Sequence, residues 1–164
     1  MKPELKLVAK ARYIQMTAEL ADRIWREYYA RRFNSKQLTA ILEAQQSAEA
    51  IEADMDNDVN YQLIMQGSKV AGYVAWEMSG GMLLIKHFYL ESPWRSKGIG
   101  RTVLQSIERL ARADGKTAVA VRVGQKQLET QGFFKHAGFR PLHTVDTELA
   151  PGIVWPEIWM EKRL

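Results

Sequence analysis

The spacing of apolar and polar positions changes several times along the chain, and each change marks an element. Leu5 to Ala11 reads as a short strand. From Thr17 to Arg32 the spacing becomes helical, with Leu20, Ile24, Trp25 and Tyr28 on one face. A second helix is predicted from Ser35, a good N-cap residue, with Leu38, Ile41 and Leu42 turned inward. Val59, Tyr61, Leu63 and Met65 then alternate with polar neighbours, which is a strand pattern. Gly67-Ser68 turns the chain into a return strand over 70–77, and Ser79-Gly80-Gly81 turns it again into a more apolar strand over 82–90. That third strand reads as buried on both faces and therefore central.

After Ser92-Pro93-Trp94 and a glycine loop, a helix is predicted to about Ala113. Val103, Leu104, Ile107, Leu110 and Ala111 line one side of it, and Asp114-Gly115 closes it. A strand over 117–123 follows, then a short helix over 127–137 ended by Gly138, and a strand from Phe139. The last strand, 153–162, contains Pro156, which has no N–H for a ladder and predicts an edge or a bulge. This order gives an α+β fold: a mixed, mainly antiparallel sheet of six to seven strands, flanking helices and a central strand–helix–strand unit. A right-handed crossover makes that unit's two strands parallel.

A chain of 164 residues suits one domain over 1–164. It has no cysteine, so disulfides and a Cys nucleophile are excluded. Its three histidines, His87, His136 and His143, share no metal-ligand spacing, and no metal is expected. No apolar run is long enough for a bilayer span and no signal segment opens the chain, so a cytoplasmic protein is expected. The net charge of +4 is spread out. It fits an anionic ligand or merely a basic surface, and without a dense Lys/Arg block nucleic acid is an unlikely partner.

The segment Arg95-Ser96-Lys97-Gly98-Ile99-Gly100 carries the clearest chemistry. It joins a buried strand to a helix whose first N–H groups are unpaired and partly positive. Glycine lets a ligand approach the backbone, and Arg95, Lys97 and Arg101 add charge. A diphosphate fits these features. The bland alternative is an ordinary turn with incidental basic residues. The Walker and dinucleotide patterns are both absent.

Arg-x-x-Gly-x-Gly at this place resembles the acetyl-CoA loop of the GNAT N-acetyltransferases. Phe88-Tyr89-Leu90-Glu91-Ser92 is similar to the strand end before it, and Gly132-Phe133-Phe134-Lys135-His136-Ala137-Gly138-Phe139 to that family's later helix. Trp159-Met160-Glu161-Lys162 resembles the last strand of a bacterial branch that includes polyamine acetyltransferases. The resemblance covers residues 55–162 and implies acetyl-CoA as co-substrate. It implies that Arg95, the backbone of Ser96, Lys97, Gly98, Ile99 and Gly100, and Arg101 hold the pyrophosphate. Phe88, Tyr89 and Leu90 would pair with the pantetheine arm, in a gap opened by splayed strands. Gln127 stands where the family often has a cofactor-contacting Asn. Phe134 stands where it often has a Tyr that protonates the leaving thiolate.

The missing hydroxyl costs little, because a thiol of pKa about 8.5 leaves as thiolate at pH 7 for only ~2 kcal/mol. An amine of pKa about 10.4 must first lose a proton, at roughly 4–5 kcal/mol. The base therefore matters more. Lys86 occupies a position where the family often has a carboxylate, which leaves His87, with Glu91 and Glu77 as alternatives. His87 could equally be a structural histidine. Trp76, Trp94, Trp155 and Trp159 could line an acceptor pocket or simply pack. The expected reaction is transfer of acetyl from acetyl-CoA to a primary amine, on a small molecule or a peptide, by a possible homodimer. A non-catalytic acyl-CoA-binding module is the alternative, and an RNA-binding domain a weaker third.

Overall fold

A computed structural model describes all residues from Met1 to Leu164. The chain runs β1 (Glu4–Leu7), α1 (Ala11–Tyr28), α2 (Ser35–Gln46), α3 (Ala48–Asp56), β2 (Asn60–Gln66), β3 (Lys69–Ser79) and β4 (Met82–Leu90). After a 3-10 turn at Ser92–Trp94 come α4 (Ile99–Ala113), β5 (Ala118–Gly124), α5 (Leu128–His136), β6 (Arg140–Ala150) and β7 (Ile153–Arg163). No helix is long and apolar enough to cross a membrane.

The strands form one seven-stranded sheet in the order β1-β2-β3-β4-β5-β7-β6. Every pairing is antiparallel except β4 with β5, the parallel pair expected around the crossover helix α4. The predicted central strand is indeed the middle one. Side chains alternate between the two faces and build two cores. Leu83, Ile85, Val119, Val121 and Met160 pack with Val103, Leu104 and Ile107 of α4. Leu63, Tyr61 and Tyr73 pack on the other face with Leu20, Ile24 and Trp25 of α1 and Ile41 of α2.

Several boundaries differ from expectation. Helix α1 starts at Ala11 and ends at Tyr28, not 17–32, because its N-cap Lys10 offers no side-chain cap that would mark the start. Asn34, not Ser35, caps α2: its side chain accepts from Gln37 N–H while the Gln37 side chain accepts from Asn34 N–H. Helix α3, capped by Ser47, was not foreseen. Strand β7 is internal, correcting the edge expected from Pro156. Its pairing with β5 ends at Glu157↔Gly124, so Pro156 meets no strand on that side and loses no ladder bond. The Pro156 carbonyl accepts from Gln125 N–H at 3.0 Å.

Two local irregularities shape the centre of the sheet. Ala75 pairs with His87 but Trp76 pairs with Ile85, so Lys86 is an extra residue, a β-bulge. At Gly72 the neighbouring strand comes so close that a Cβ would lie 2.0 Å from the Tyr89 carbonyl oxygen.

Candidate active site

The sheet opens at its centre. β4 and β5 pair only from Met82↔Ala118 to Ile85↔Val121, then separate. From Lys86 to Leu90, β4 is bonded on its β3 side alone. Glu91 N–H donates to Ala71 O at 2.8 Å, which fixes the phase of the ladder. By antiparallel alternation, Phe88 and Leu90 turn their N–H and C=O groups into the opening. A cleft of about 550 Å³ passes through this fork. One end is walled by Leu90, Arg95, Gly100, Gln127 and Phe133, the other by Trp25, Tyr28, Tyr29, Phe33 and Ile41.

At the first end, the backbone is arranged to receive an anion. Ser96 (φ 60°) and Gly98 (φ 81°) take left-handed conformations, and α4 begins at Ile99. No group of the protein accepts a hydrogen bond from the N–H groups of Ser96 through Arg101. They converge with the positive end of a four-turn helix, and nothing lies within 4 Å of the place a Gly98 Cβ would occupy. Arg95 is tied down beside them. Its Nε donates to Leu90 O at 2.9 Å and its Nη1 to Glu27 at 2.8 Å, while Nη2 is buried without a partner. Lys97 extends over the Trp94 ring, and Arg101 is exposed.

At the second end lies a buried polar network. The Trp25 indole N–H donates to Tyr73 OH at 3.0 Å, so Tyr73 must give its own proton to Gln46 Oε1, at 2.6 Å. That fixes the amide: Gln46 Nε2 donates to the Gln45 carbonyl at 2.5 Å and to Tyr61 OH at 2.9 Å, and lies 3.3 Å from His87 Nε2. Tyr61 in turn donates to Asp54 at 2.6 Å. Burial pushes the Tyr61 and Tyr73 hydroxyls up, so both remain protonated donors.

A family model described as an acetyltransferase (GNAT) domain matches residues 29–162. The chain belongs to the GNAT acetyltransferase family. Among solved structures, a PaiA N-acetyltransferase from Thermoplasma acidophilum, in complex with coenzyme A, is similar at a TM-score of 0.80 and 18% identity, with 100% of both chains covered. A GCN5-related N-acetyltransferase from Rhodopseudomonas palustris gives 0.81 and 18%, covering 100% of this chain and 97% of its own. A GNAT acetyltransferase from Elizabethkingia anophelis, with acetyl-CoA bound, gives 0.61 and 16%, covering 77% and 89%. At these identities the likeness is one of fold. No curated protein sequence matches the chain.

Of the residues singled out from the sequence, Phe88, Tyr89, Leu90, Arg95, Gly100, Gln127, Phe134 and His87 line the cleft of this GNAT domain. Ser96, Lys97, Gly98, Ile99 and Arg101 form the turn at its rim, and only their backbone faces the opening without partners. Tyr89 turns its side chain to the α1 face, where its hydroxyl bonds Tyr29 at 2.7 Å. Gln127 is held from α1's side: its Oε1 accepts from Arg32 at 3.4 Å.

Both expected catalytic groups need correction. His87 is buried among Trp25, Tyr61, Tyr73 and Tyr89. Burial, reinforced by Lys86 and Arg122, lowers its pKa to about 3. Such a ring stays neutral near pH 7 and is a weak base. Glu91 pairs with Arg23 at 3.2 Å and is not part of the cleft wall. Phe134 is 3% exposed and packs against Phe133 and Phe139. Of Trp76, Trp94, Trp155 and Trp159, only Trp155 lines the cleft, lying so close over Gly124 that a Cβ there would be 2.7 Å from its ring. Trp76 is core, Trp94 packs on the α4 side and Trp159 stacks on His143. The aromatic wall of α1 was read as core from its helical spacing. Its clustering of Trp25, Tyr28 and Tyr29 on one turn was the available signal.

Proposed function

We propose that this protein transfers the acetyl group of acetyl-CoA to a primary amine by direct attack. The observation that carries the reading is the run of unpaired amides from Ser96 to Arg101, set at the mouth of a fork whose β4 edge is open. A diphosphate satisfies the amides. An amide-bearing arm satisfies the N–H and C=O of Phe88 and the N–H of Leu90, like an added strand. Arg95 Nη2, buried and without an acceptor, gains one from the same ligand. Acetyl-CoA supplies an electrophilic carbonyl and a thiolate leaving group.

The protein's own groups prepare the amine. The fork lets an acceptor enter from the α1 face while the co-substrate enters from the α4 face. Asp54, Glu148 and Glu157 are the carboxylates of the acceptor-side wall. Glu157 is half-buried opposite Gly124, where β5 ends, and receives the amine's proton through water. Lys86 and Arg122, beside His87, disfavour an ammonium there and so ease its deprotonation. The departing thiolate takes its proton from solvent, since Phe134 offers none.

The reading is tested by titrating coenzyme A into the wild type and Gly98→Glu, and by following thiol release from acetyl-CoA across an amine panel. Wild type should bind and turn over, and Gly98→Glu should lose more than about tenfold in affinity, because a carboxylate then faces the phosphates. Equal affinity of the two proteins would refute the cradle. Tight binding without thiol release from any amine would identify a non-catalytic acyl-CoA-binding module instead.

A further inference from the structure

Two cations stand where the fork opens. Ile85 and Val121 are the last paired residues of β4 and β5, and Lys86 and Arg122 follow them directly. Val119, Val121 and Val123 belong to the α4 core, so alternation turns Arg122 to the acceptor face. The bulge in β4 brings Lys86 to that same face beside His87. Both line the cleft, and both act on His87.

Arg122 has no counter-charge within the protein, and the one that Lys86 has is distant. Arg122 is half-buried, yet it makes no hydrogen bond and belongs to none of the ion pairs. Lys86 reaches only Glu77, at 3.8 Å. Of the facing carboxylates, Glu161 accepts from the Trp159 indole at 2.8 Å and Asp54 from Tyr61, while Glu157, diagonal to Arg122 across β5 and β7, and Glu148 form no ion pair with either cation. A guanidinium that is partly desolvated and unpaired is costly unless a ligand supplies the anion. Arg122 adds a fork of donors that fits a carboxylate in two-point contact.

Building on the N-acetyltransfer reading, we propose that Lys86 and Arg122 form a carboxylate-binding subsite, and that the acceptor is an amino acid with an apolar side chain. The subsite lies at the fork itself, where the amine must meet the thioester, so the carboxylate has to be carried next to the amine. Trp155, with the Tyr29 and Phe33 rings packed 5.5 and 5.1 Å from its own, then receives the side chain together with them. A polyamine, the acceptor that the resemblance of the last strand implies, would bring a second ammonium toward the same cations.

Thiol release from acetyl-CoA is measured with phenylalanine, tryptophan and leucine, each against its own amide and its own decarboxylated amine, and with 1,4-diaminobutane. The amino acids should exceed their amides in kcat/KM by about 10- to 100-fold, the value of one or two charge-assisted hydrogen bonds. Arg122→Met and Lys86→Met should each reduce that ratio by about tenfold, mainly through KM. Circular dichroism melts establish that each variant is folded, and Lys86→Met decides if Arg122→Met is not. Amides or the diamine turning over as well as the amino acids, or a ratio unmoved in a folded variant, would overturn the subsite while leaving amine acetylation intact. If no acceptor releases thiol, calorimetric binding of phenylalanine to the coenzyme A-saturated protein decides. Binding weakened about tenfold in a folded Lys86→Met or Arg122→Met upholds the subsite although the transfer reading falls, and no binding, or binding equal in the variant, overturns it.

Discussion

Lowering the pH should unfold this protein through His87. In the folded chain the ring sits among Trp25, Tyr61, Tyr73 and Tyr89, and its burial lowers its pKa to about 3. In the unfolded chain it returns to about 6.5. Between those values the unfolded state binds a proton that the folded state refuses. The contribution to stability is therefore complete above the unfolded value and falls as the pH drops, until the folded group itself protonates near pH 3. The limiting slope is about 1.4 kcal/mol per pH unit, and the loss accumulated by pH 5 is about 2 kcal/mol. Urea denaturation at pH 8, 6 and 5 reads this directly, and His87→Gln supplies the reference, since glutamine keeps a polar side chain without titrating. The difference between the two pH profiles should grow by about 2 kcal/mol from pH 8 to pH 5. Parallel profiles would mean that His87 accepts a proton in the folded state, and the argument against it as a weak, buried base would fail with it.

Two further substitutions probe the same centre. Gln46→Leu strips the acceptor from the Tyr73 hydroxyl and the donor from Tyr61, both of them buried, and should cost roughly 2–5 kcal/mol, seen as a fall in Tm of about 5–15 °C. Gly72→Ala places a methyl 2.0 Å from the Tyr89 carbonyl oxygen, which forces β3 and β4 apart behind the open edge. It should cost about 3 kcal/mol in chemical denaturation and weaken coenzyme A binding, whereas a neutral result would show that the strands can separate there freely.

The sheet was legible because its strands alternate cleanly and its turns carry glycine. β2 to β5 follow from Val59, Tyr61 and Leu63 on one side and from the valines at 119, 121 and 123 on the other. The helical layer was less legible for local reasons. α3 has nine residues and buries only Ile51 fully, so no apolar stripe announces it. α1 begins without a side-chain cap, and the aromatic run at its end, from Tyr28 to Phe33, continues the helical spacing after the helix has ended. The turn of unpaired amides could be read from six adjacent residues because a helix start is a local structure. The acceptor wall could not. Gln46 meets His87 across 41 positions, and Gln45 meets the Leu149 carbonyl across 104.

The error over His87 shows which kind of information was missing. A histidine next to a cofactor loop suggests a base only if the ring keeps the solvation that sets its ordinary pKa, and sequence gives no measure of that. Here the bulge at Lys86 decides the matter. The extra residue turns His87 toward the aromatic core of α1, and it holds Lys86 on the same face as Arg122. The same irregularity that buries His87 thus sets it beside the two cations at the fork. An acceptor ammonium between them is already disfavoured, so less is asked of any base. On the proposed reading, a half-buried carboxylate of the acceptor wall such as Glu157 takes the proton through water.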